Sequence, residues 1–165
     1  MKRLWILLLA AVLLLGCGVK AGNRYSSSVF DATLPDTFEP VGQAGITCFA
    51  PHGDPLLSSS ITFYSTELNW YFDQFTESEY ESALKELCGY ESLTLRRIEH
   101  VKVDGYDAHR LDCSVQIDQG THDLIIYAVN ADHTYFFTLL NRDMDSFVGA
   151  FDEMMKTIRI KGMTE

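Results

Sequence analysis

The sequence has few basic residues for its length. Its 165 residues include 13 lysines and arginines against 23 aspartates and glutamates, which gives a formal net charge of −10. Proteins that bind nucleic acid neutralise phosphates with a basic surface, so this composition argues against that class. The same shortage disfavours attraction to anionic lipid headgroups. We expect neither nucleic acid nor a charged membrane surface as a partner.

Sequence motifs of known enzymes are also missing. The chain contains no G-x-S-x-G, H-E-x-x-H or C-x-x-C motif and no glycine-rich phosphate loop. Acidic residues are so frequent that carboxylate pairs carry no information about acid–base catalysis. We therefore predict no catalytic residues and no cofactor. An envelope hydrolase is the least favoured alternative, because it requires a serine or cysteine next to a histidine that an acid holds in place.

No apolar run is long enough to cross a membrane, which takes about 20 residues. The longest run, Leu4–Leu15, follows Lys2 and Arg3 and has the layout of a secretory signal. Its end, LLGC at positions 14–17, resembles the lipobox of bacterial lipoproteins. That resemblance implies a signal peptide over residues 1–16 and a diacylglycerol on Cys17; an ordinary signal with a chance cysteine is the alternative. We expect a lipid anchor at the extracytoplasmic face of the cell membrane.

The other cysteines are too few to form a disulfide framework. Cys48, Cys88 and Cys113 are odd in number, and each stands among apolar residues. Export makes a single bridge chemically possible. Small buried side chains are the favoured interpretation.

The remaining chain predicts one domain with two helices. Residues 17–28 are polar and unpatterned and read as the lipidated cysteine with a tether, residues 29–161 as the domain, and residues 162–165 as a tail. The stretch TESEYESALKELC has helical periodicity, a capping box at Thr76 and Glu79, and Gly89 as its stop. The stretch MDSFVGAFDEMMKTI repeats the periodicity, with Asp143 or Asp145 as the expected cap.

Strands are predicted between and before these helices. Between the helices, four segments are rich in β-branched and aromatic residues: LTLRRIEHVKV, YDAHRLDCSVQI, HDLIIYAV and TYFFTLL. Short turns such as Asp104-Gly105 join them. Three shorter strands, in VFDATLP, GITCFAP and SSITFYST, precede the first helix. DLIIYAV is apolar at both its odd and its even positions, whose side chains point to opposite faces of the strand. Both faces of the sheet should therefore be covered. We predict an α+β fold, an antiparallel sheet with helices on both faces.

These elements resemble a known family. The chain resembles the PsbP-like sandwich fold, and in particular the DcrB-like small bacterial lipoproteins. Four stretches carry this resemblance: Leu34-Pro35 after the first strand, DGYDAHRLDC, YFFTLLNR and the closing MMKTIRI. The likeness spans about Val29 to Ile160. It implies an extracytoplasmic domain whose relatives act as non-catalytic accessory or partner-binding subunits, in photosystem II and in nuclear transport. It supplies no catalytic motif and no metal-retention role.

An aromatic cluster is the first candidate site. The stretch LNWYFDQF places Trp70, Tyr71, Phe72 and Phe75 just before the first helix, where a connection is expected. Exposed tyrosine and tryptophan are favoured anchors for protein partners or sugars. The alternative is that these side chains close one end of the core.

A histidine pair is the second candidate site. A two-residue Asp104-Gly105 turn places His100 directly opposite His109, with Cβ atoms about 5 Å apart. The turn that contains Asp132 and His133 is expected at the same end of the sheet. Three imidazoles and a carboxylate suit a zinc- or copper-type ion. A polar strand end, or a bulge that separates the histidines, is the alternative.

The sequence thus predicts a lipid-anchored, extracytoplasmic, non-catalytic binding or accessory protein of the bacterial envelope. We expect the membrane, through Cys17, and an envelope protein as its partners. A small-ligand or metal-binding lipoprotein is the first alternative. The sequence leaves the oligomeric state open.

Overall fold

Two antiparallel sheets and two helices make up the part of the chain that the computed structural model describes, residues 23–43, 46–53, 59–67, 74–142 and 146–162. The elements, in chain order, are β1 (Asn23–Ser26), β2 (Phe30–Leu34), β3 (Phe38–Gln43), β4 (Ile46–Pro51), β5 (Ser60–Thr66), α1 (Glu77–Cys88), β6 (Thr94–Val103), β7 (Tyr106–Ile117), β8 (Gly120–Asn130), β9 (Thr134–Asn141), α2 (Val148–Thr157) and β10 (Arg159–Ile160). The larger sheet has the order β3-β4-β5-β9-β8-β7-β6, and the smaller one has the order β1-β2-β10. This mixed α+β architecture agrees with the fold class predicted from sequence.

The four long strands β6 to β9 form a meander, as their turns predict. Asp104 and Gly105 have φ angles of 51° and 85°, the left-handed pair that a tight hairpin turn requires. Val103 consequently pairs with Tyr106, and the register continues along both strands. The predicted hairpin and its register are confirmed.

Helix α1 begins and ends at the predicted signals. Thr76 is the N-cap, its backbone N donates to Glu79 Oε2 at 2.8 Å, and its Oγ1 accepts from Glu79 N at 3.4 Å. Gly89 ends the helix in the left-handed conformation, with φ of 72°.

Helix α2 begins differently from the prediction. Its N-cap is Phe147, not Asp143 or Asp145, both of which lie outside the described residues. The Phe147 backbone N donates to Asn141 Oδ1 at 3.1 Å, and the ring packs edge-on against Phe38 at 5.1 Å between centroids. Apolar docking and a side chain from the preceding strand therefore fix the start of this helix, which a local capping pattern cannot reveal.

Two core clusters alternate along the central strand β8. Helix α1 contributes to one cluster and helix α2 to the other. Successive side chains of a strand point to opposite faces, so this alternation explains why the segment is apolar at both parities. The β8 residues of the α1 cluster are Leu124, Ile126 and Ala128, and those of the α2 cluster are Ile125, Tyr127 and Val129.

The first strand lies inside the segment predicted as a tether. β1 pairs with β2, and Tyr25 packs against Phe30 and Phe49 at 5.4 and 4.8 Å between ring centroids. The prediction that the tether continues to residue 28 is therefore wrong. The local sequence lacks apolar alternation, and one aromatic side chain provides the packing that holds the strand. Among the described residues, neither helix is long and apolar enough to cross a bilayer.

Candidate binding site at the histidine hairpin

His100 and His109 face each other across the β6–β7 hairpin. Their Nε2 atoms are 3.2 Å apart, and their rings meet edge-to-face at 4.1 Å between centroids. A bulge is present in this hairpin, but it lies between Leu95 and Arg97, so the register at the histidines is intact. The structure therefore brings together the two histidines that the turn predicts.

His133 does not join this pair. Its Nδ1 lies 3.5 Å from Asp132 Oδ2, and its ring packs near Tyr135, at 6.3 Å between centroids. Tyr135 belongs to the α2 cluster, whereas His109 lies near Tyr80 of the α1 cluster, at 6.4 Å. The predicted set of three imidazoles is wrong because His133 lies on the other side of the sheet. Within the described residues, no group of three His, Cys, Asp or Glu side chains is placed to hold a metal ion.

The histidine pair is buried at one ring and open at the other. His109 is only 5% exposed, whereas His100 is exposed to solvent. On the same face, one alternation closer to the turn, Lys102 Nζ contacts Asp107 Oδ1 at 2.9 Å. This contact is the main reason why the pKa of Asp107 lies below its usual value, and the two histidines lower it further.

The aromatic cluster adjoins the histidine pair. Trp70, Tyr71 and Phe72 lie outside the described residues, so their prediction as partner anchors stays a prediction. Phe75, the last member of the cluster, is 43% exposed and packs edge-on against Tyr80 at 5.8 Å. Tyr80 thus links Phe75 to His109. We call Phe75 and His100, together with the buried Tyr80 and His109 beneath them, the histidine–aromatic surface.

A partly buried ion network lies on the opposite side of the sheet. The Arg110 side chain is 12% exposed and contacts Asp112 at 2.5 Å, Asp152 at 3.2 Å and Glu99 at 3.6 Å. Tyr127 donates its hydroxyl to Asp152 at 2.9 Å, and burial together with this contact raises the Tyr127 pKa. The network joins α2 to three strands. No motif in the sequence predicts this network; its one signal is an arginine between His109 and Leu111 in a core strand.

A small cavity lies between the sheet and the C-terminal end of α1. Its volume is about 300 Å³, and Tyr64, Cys88 and Thr138 line it together with leucine side chains. The Tyr64 hydroxyl lies 3.8 Å from Cys88 Sγ. Thr138 is 94% buried. Among the described residues, Thr138 Oγ1 has no hydrogen-bond partner. It lies near the Tyr64 hydroxyl, but the two groups do not meet with hydrogen-bond geometry. Burial is the main cause that raises the Tyr64 pKa.

All three cysteines of the described domain are free thiols, in agreement with the favoured interpretation. Cys48 and Cys113 are buried and Cys88 is half-buried. Burial raises the pKa of each thiol, and that of Cys113 reaches about 12. Such thiols are poor nucleophiles at neutral pH.

Solved structures share the architecture, although neither a protein-family model nor a curated protein matches the sequence. Cyanobacterial PsbP (CyanoP) from Synechocystis is 15% identical, with a TM-score of 0.64 over 88% of this chain and 95% of that chain. LpqN, involved in cell envelope biogenesis of Mycobacterium tuberculosis, is 13% identical, with a TM-score of 0.54 over 87% of each chain. A Bacteroides thetaiotaomicron protein is 13% identical, with a TM-score of 0.55 over 86% of this chain and 49% of that chain. The chain has the PsbP-like fold that its sequence resemblance predicts.

Proposed function

We propose that this protein is a lipid-anchored, extracytoplasmic accessory protein of the bacterial envelope that acts by binding a partner protein. The leader that ends at Cys17 supports the anchor, and the narrower likeness to DcrB-like lipoproteins fits the same location. The fold shared with LpqN, a protein of cell envelope biogenesis, supports the envelope assignment. Among the described residues, His52 contacts Glu39, His133 contacts Asp132, and His100 contacts His109; none of these three contacts pairs an imidazole with a serine, threonine or cysteine.

We infer that the two helices cover opposite faces of the larger sheet. The separation of α1 and α2 into the two alternating core clusters supports this arrangement. With both faces covered, the ends of the sheet and its edges are the surfaces left for recognition. The histidine–aromatic surface lies at such an end.

The exposure of Phe75 is the observation that carries the partner proposal. A large apolar ring that is 43% exposed, supported from below by Tyr80, is available to bury area against another protein. Aromatic anchors of this kind dominate the energy of protein interfaces. Trp70, Tyr71 and Phe72 precede Phe75 closely in the chain and extend the proposed anchor.

The lipid anchor is tested by replacing Cys17. We expect the parent protein, expressed with its leader, to incorporate labelled palmitate and to sediment with membranes. Cys17→Ser is expected to abolish both, whereas Cys88→Ser is expected to change neither, because Cys88 lies in the folded domain. Recovery of unlabelled parent protein from the cytosol would overturn the proposal.

Partner binding is tested by proximity labelling from the tethered protein, followed by mass spectrometry. We expect Phe75→Ala and Trp70→Ala to remove the same envelope protein from the labelled set. Tyr106→Ala is the matched control, because Tyr106 is another exposed large aromatic residue, at 40%. If Tyr106→Ala and Phe75→Ala lose the same proteins, or neither loses any, the histidine–aromatic surface is not the docking site.

A second candidate function, binding of a small apolar ligand, rests on the cavity beside α1. Its volume of about 300 Å³ lies at the lower end of the range for ligand pockets. Leucine side chains provide apolar contact, and Thr138 Oγ1 provides a buried polar group without a partner. These features fit a ligand that is mostly apolar and carries one hydrogen-bonding group.

The cavity is tested with a neutral apolar fluorescent probe, N-phenyl-1-naphthylamine. We expect the bound probe to slow alkylation of Cys88, which lines the cavity, and we expect Leu140→Trp to remove this protection by filling the space. Leu95→Trp, on the other side of α1, is the control. Equal Cys88 alkylation with and without the probe would exclude a ligand pocket there.

A further inference from the structure

We propose that His100 and His109 bind one divalent ion of the zinc or copper type through their Nε2 atoms. This inference does not depend on the proposed partner. It rests on the cross-strand register, which the Asp104-Gly105 turn fixes, and on the short approach of the two imidazoles.

The separation of the two nitrogens fits a shared tetrahedral ion. Zinc binds histidine nitrogen at about 2.0–2.1 Å, so two nitrogens on one tetrahedral ion lie about 3.3 Å apart. The Nε2 atoms are 3.2 Å apart and share a hydrogen bond, so an ion that binds both nitrogens replaces the proton between them. In a square-planar copper site, adjacent nitrogens approach to about 2.8 Å, so the geometry favours zinc. The ring centroids are only 4.1 Å apart, so the exposed His100 ring must turn away from His109 before both Nε2 lone pairs point at one ion.

The surroundings hold one ligand firmly and leave the other accessible. His109 is packed beneath α1, near Tyr80, which restrains the orientation of its ring. His100 is exposed on β6, which is an edge strand of the larger sheet, so an ion has a direct path from solvent. The site therefore has one ligand whose orientation is fixed before the ion binds and one ligand that can adjust to the ion.

The site is open within the part of the chain that the structure describes. Among the described residues, no third His, Cys, Asp or Glu side chain is placed to complete it. Water fills the remaining positions. Asp107 and Lys102, one alternation closer to the turn on the same face, form an ion pair, so together they add no net charge beside the ion.

The experiment is a calorimetric titration of the processed full-length protein in detergent with zinc chloride, with magnesium chloride as the reference ion. We expect one zinc ion per chain and no magnesium binding, since imidazole is a poor ligand for magnesium. We expect His100→Ala to weaken zinc binding by about tenfold or more. Because His100 is exposed, this variant should retain the fold, and its thermal unfolding in the absence of zinc verifies that it does.

His133→Ala is the matched control. We expect it to leave the zinc affinity unchanged, since His133 lies on the other side of the sheet. If His133→Ala weakens binding and His100→Ala does not, the ion binds beside Asp132 and the proposal is wrong. Absence of zinc binding up to about 1 mM would also overturn it.

Discussion

Arg110 illustrates how one side chain can hold two layers of the molecule together. Its guanidinium group contacts Asp112 on its own strand, Glu99 on the neighbouring strand and Asp152 on α2. Burial by itself lowers the Arg110 pKa, but the neighbouring carboxylates outweigh burial and raise it. The charge of Arg110 is therefore what makes the close approach of three acidic side chains tolerable.

Replacement of this arginine should be costly. We predict that Arg110→Ala lowers the free energy of unfolding by about 2 kcal/mol or more, because it leaves several partly buried carboxylates without a counter-charge. Lys102→Ala removes an exposed ion pair and should lower the free energy of unfolding far less, because solvent screens that pair. Urea denaturation of both variants measures the difference, and equal losses would contradict the role given to Arg110.

The buried thiols make stability depend on alkaline pH. The Cys113 pKa is about 12 in the folded chain, whereas an exposed thiol ionises near about 8.5. Cys113 therefore stabilises the fold fully below about pH 8.5, and this contribution is lost as the pH rises toward 12. In this range unfolding releases a proton, so stability falls by up to about 1.4 kcal/mol per pH unit for this group.

Comparison of two proteins isolates this effect. We predict that the free energy of unfolding of the parent, measured under reducing conditions at about pH 7, 9 and 10, falls more steeply than that of Cys113→Ala. Cys48 and Cys88 remain in both proteins and contribute equally to both slopes. Identical slopes would mean that Cys113 ionises as readily in the folded chain as in the unfolded one.

At the scale of elements, the two helices begin by different means. Helix α1 has a complete capping box at Thr76 and Glu79, and its start is therefore visible in the sequence. Helix α2 begins at Val148 after a phenylalanine, and its position depends on packing against Phe38 and on Asn141. Local sequence thus specifies the first helix, whereas the folded sheet specifies the second.

The cap of α1 can be removed selectively. We predict that Thr76→Ala lowers the free energy of unfolding by about 1 kcal/mol, because it removes the hydroxyl that accepts from the Glu79 backbone. Ser82→Ala, at an exposed position in the middle of the helix, should be neutral or slightly stabilising, since alanine favours helix. Chemical denaturation of both variants tests this contrast. A loss at Ser82 as large as that at Thr76 would contradict it.

For the whole molecule, strong local signals made most of the fold predictable. The Asp104-Gly105 turn fixes both the hairpin and the meeting of His100 with His109. The capping box and Gly89 fix α1. Each of these signals depends on only a few neighbouring residues, so it can be recognised in the sequence without knowledge of distant contacts.

Features that depend on distant contacts were not predictable. β1 exists because Tyr25 reaches Phe30 and Phe49, and nothing in its own four residues indicates a strand. β3 contains Pro40, which a strand tolerates at the edge of a sheet, and only the sheet order shows that β3 is an edge. The side of the sheet on which His133 lies is likewise set by how its turn folds over Tyr135.

If Cys17 carries the proposed lipid, the position of β1 limits how far the domain can lie from the bilayer. Only six Cα-to-Cα steps separate Cys17 from Asn23, the first residue of β1. A fully extended chain of that length spans at most about 20 Å, half of the maximum span of a chain that runs from Cys17 to Val29. With acyl chains on Cys17, as proposed, the domain stays close to the lipid headgroups. Any partner protein must therefore present its binding surface within the same short distance of the membrane.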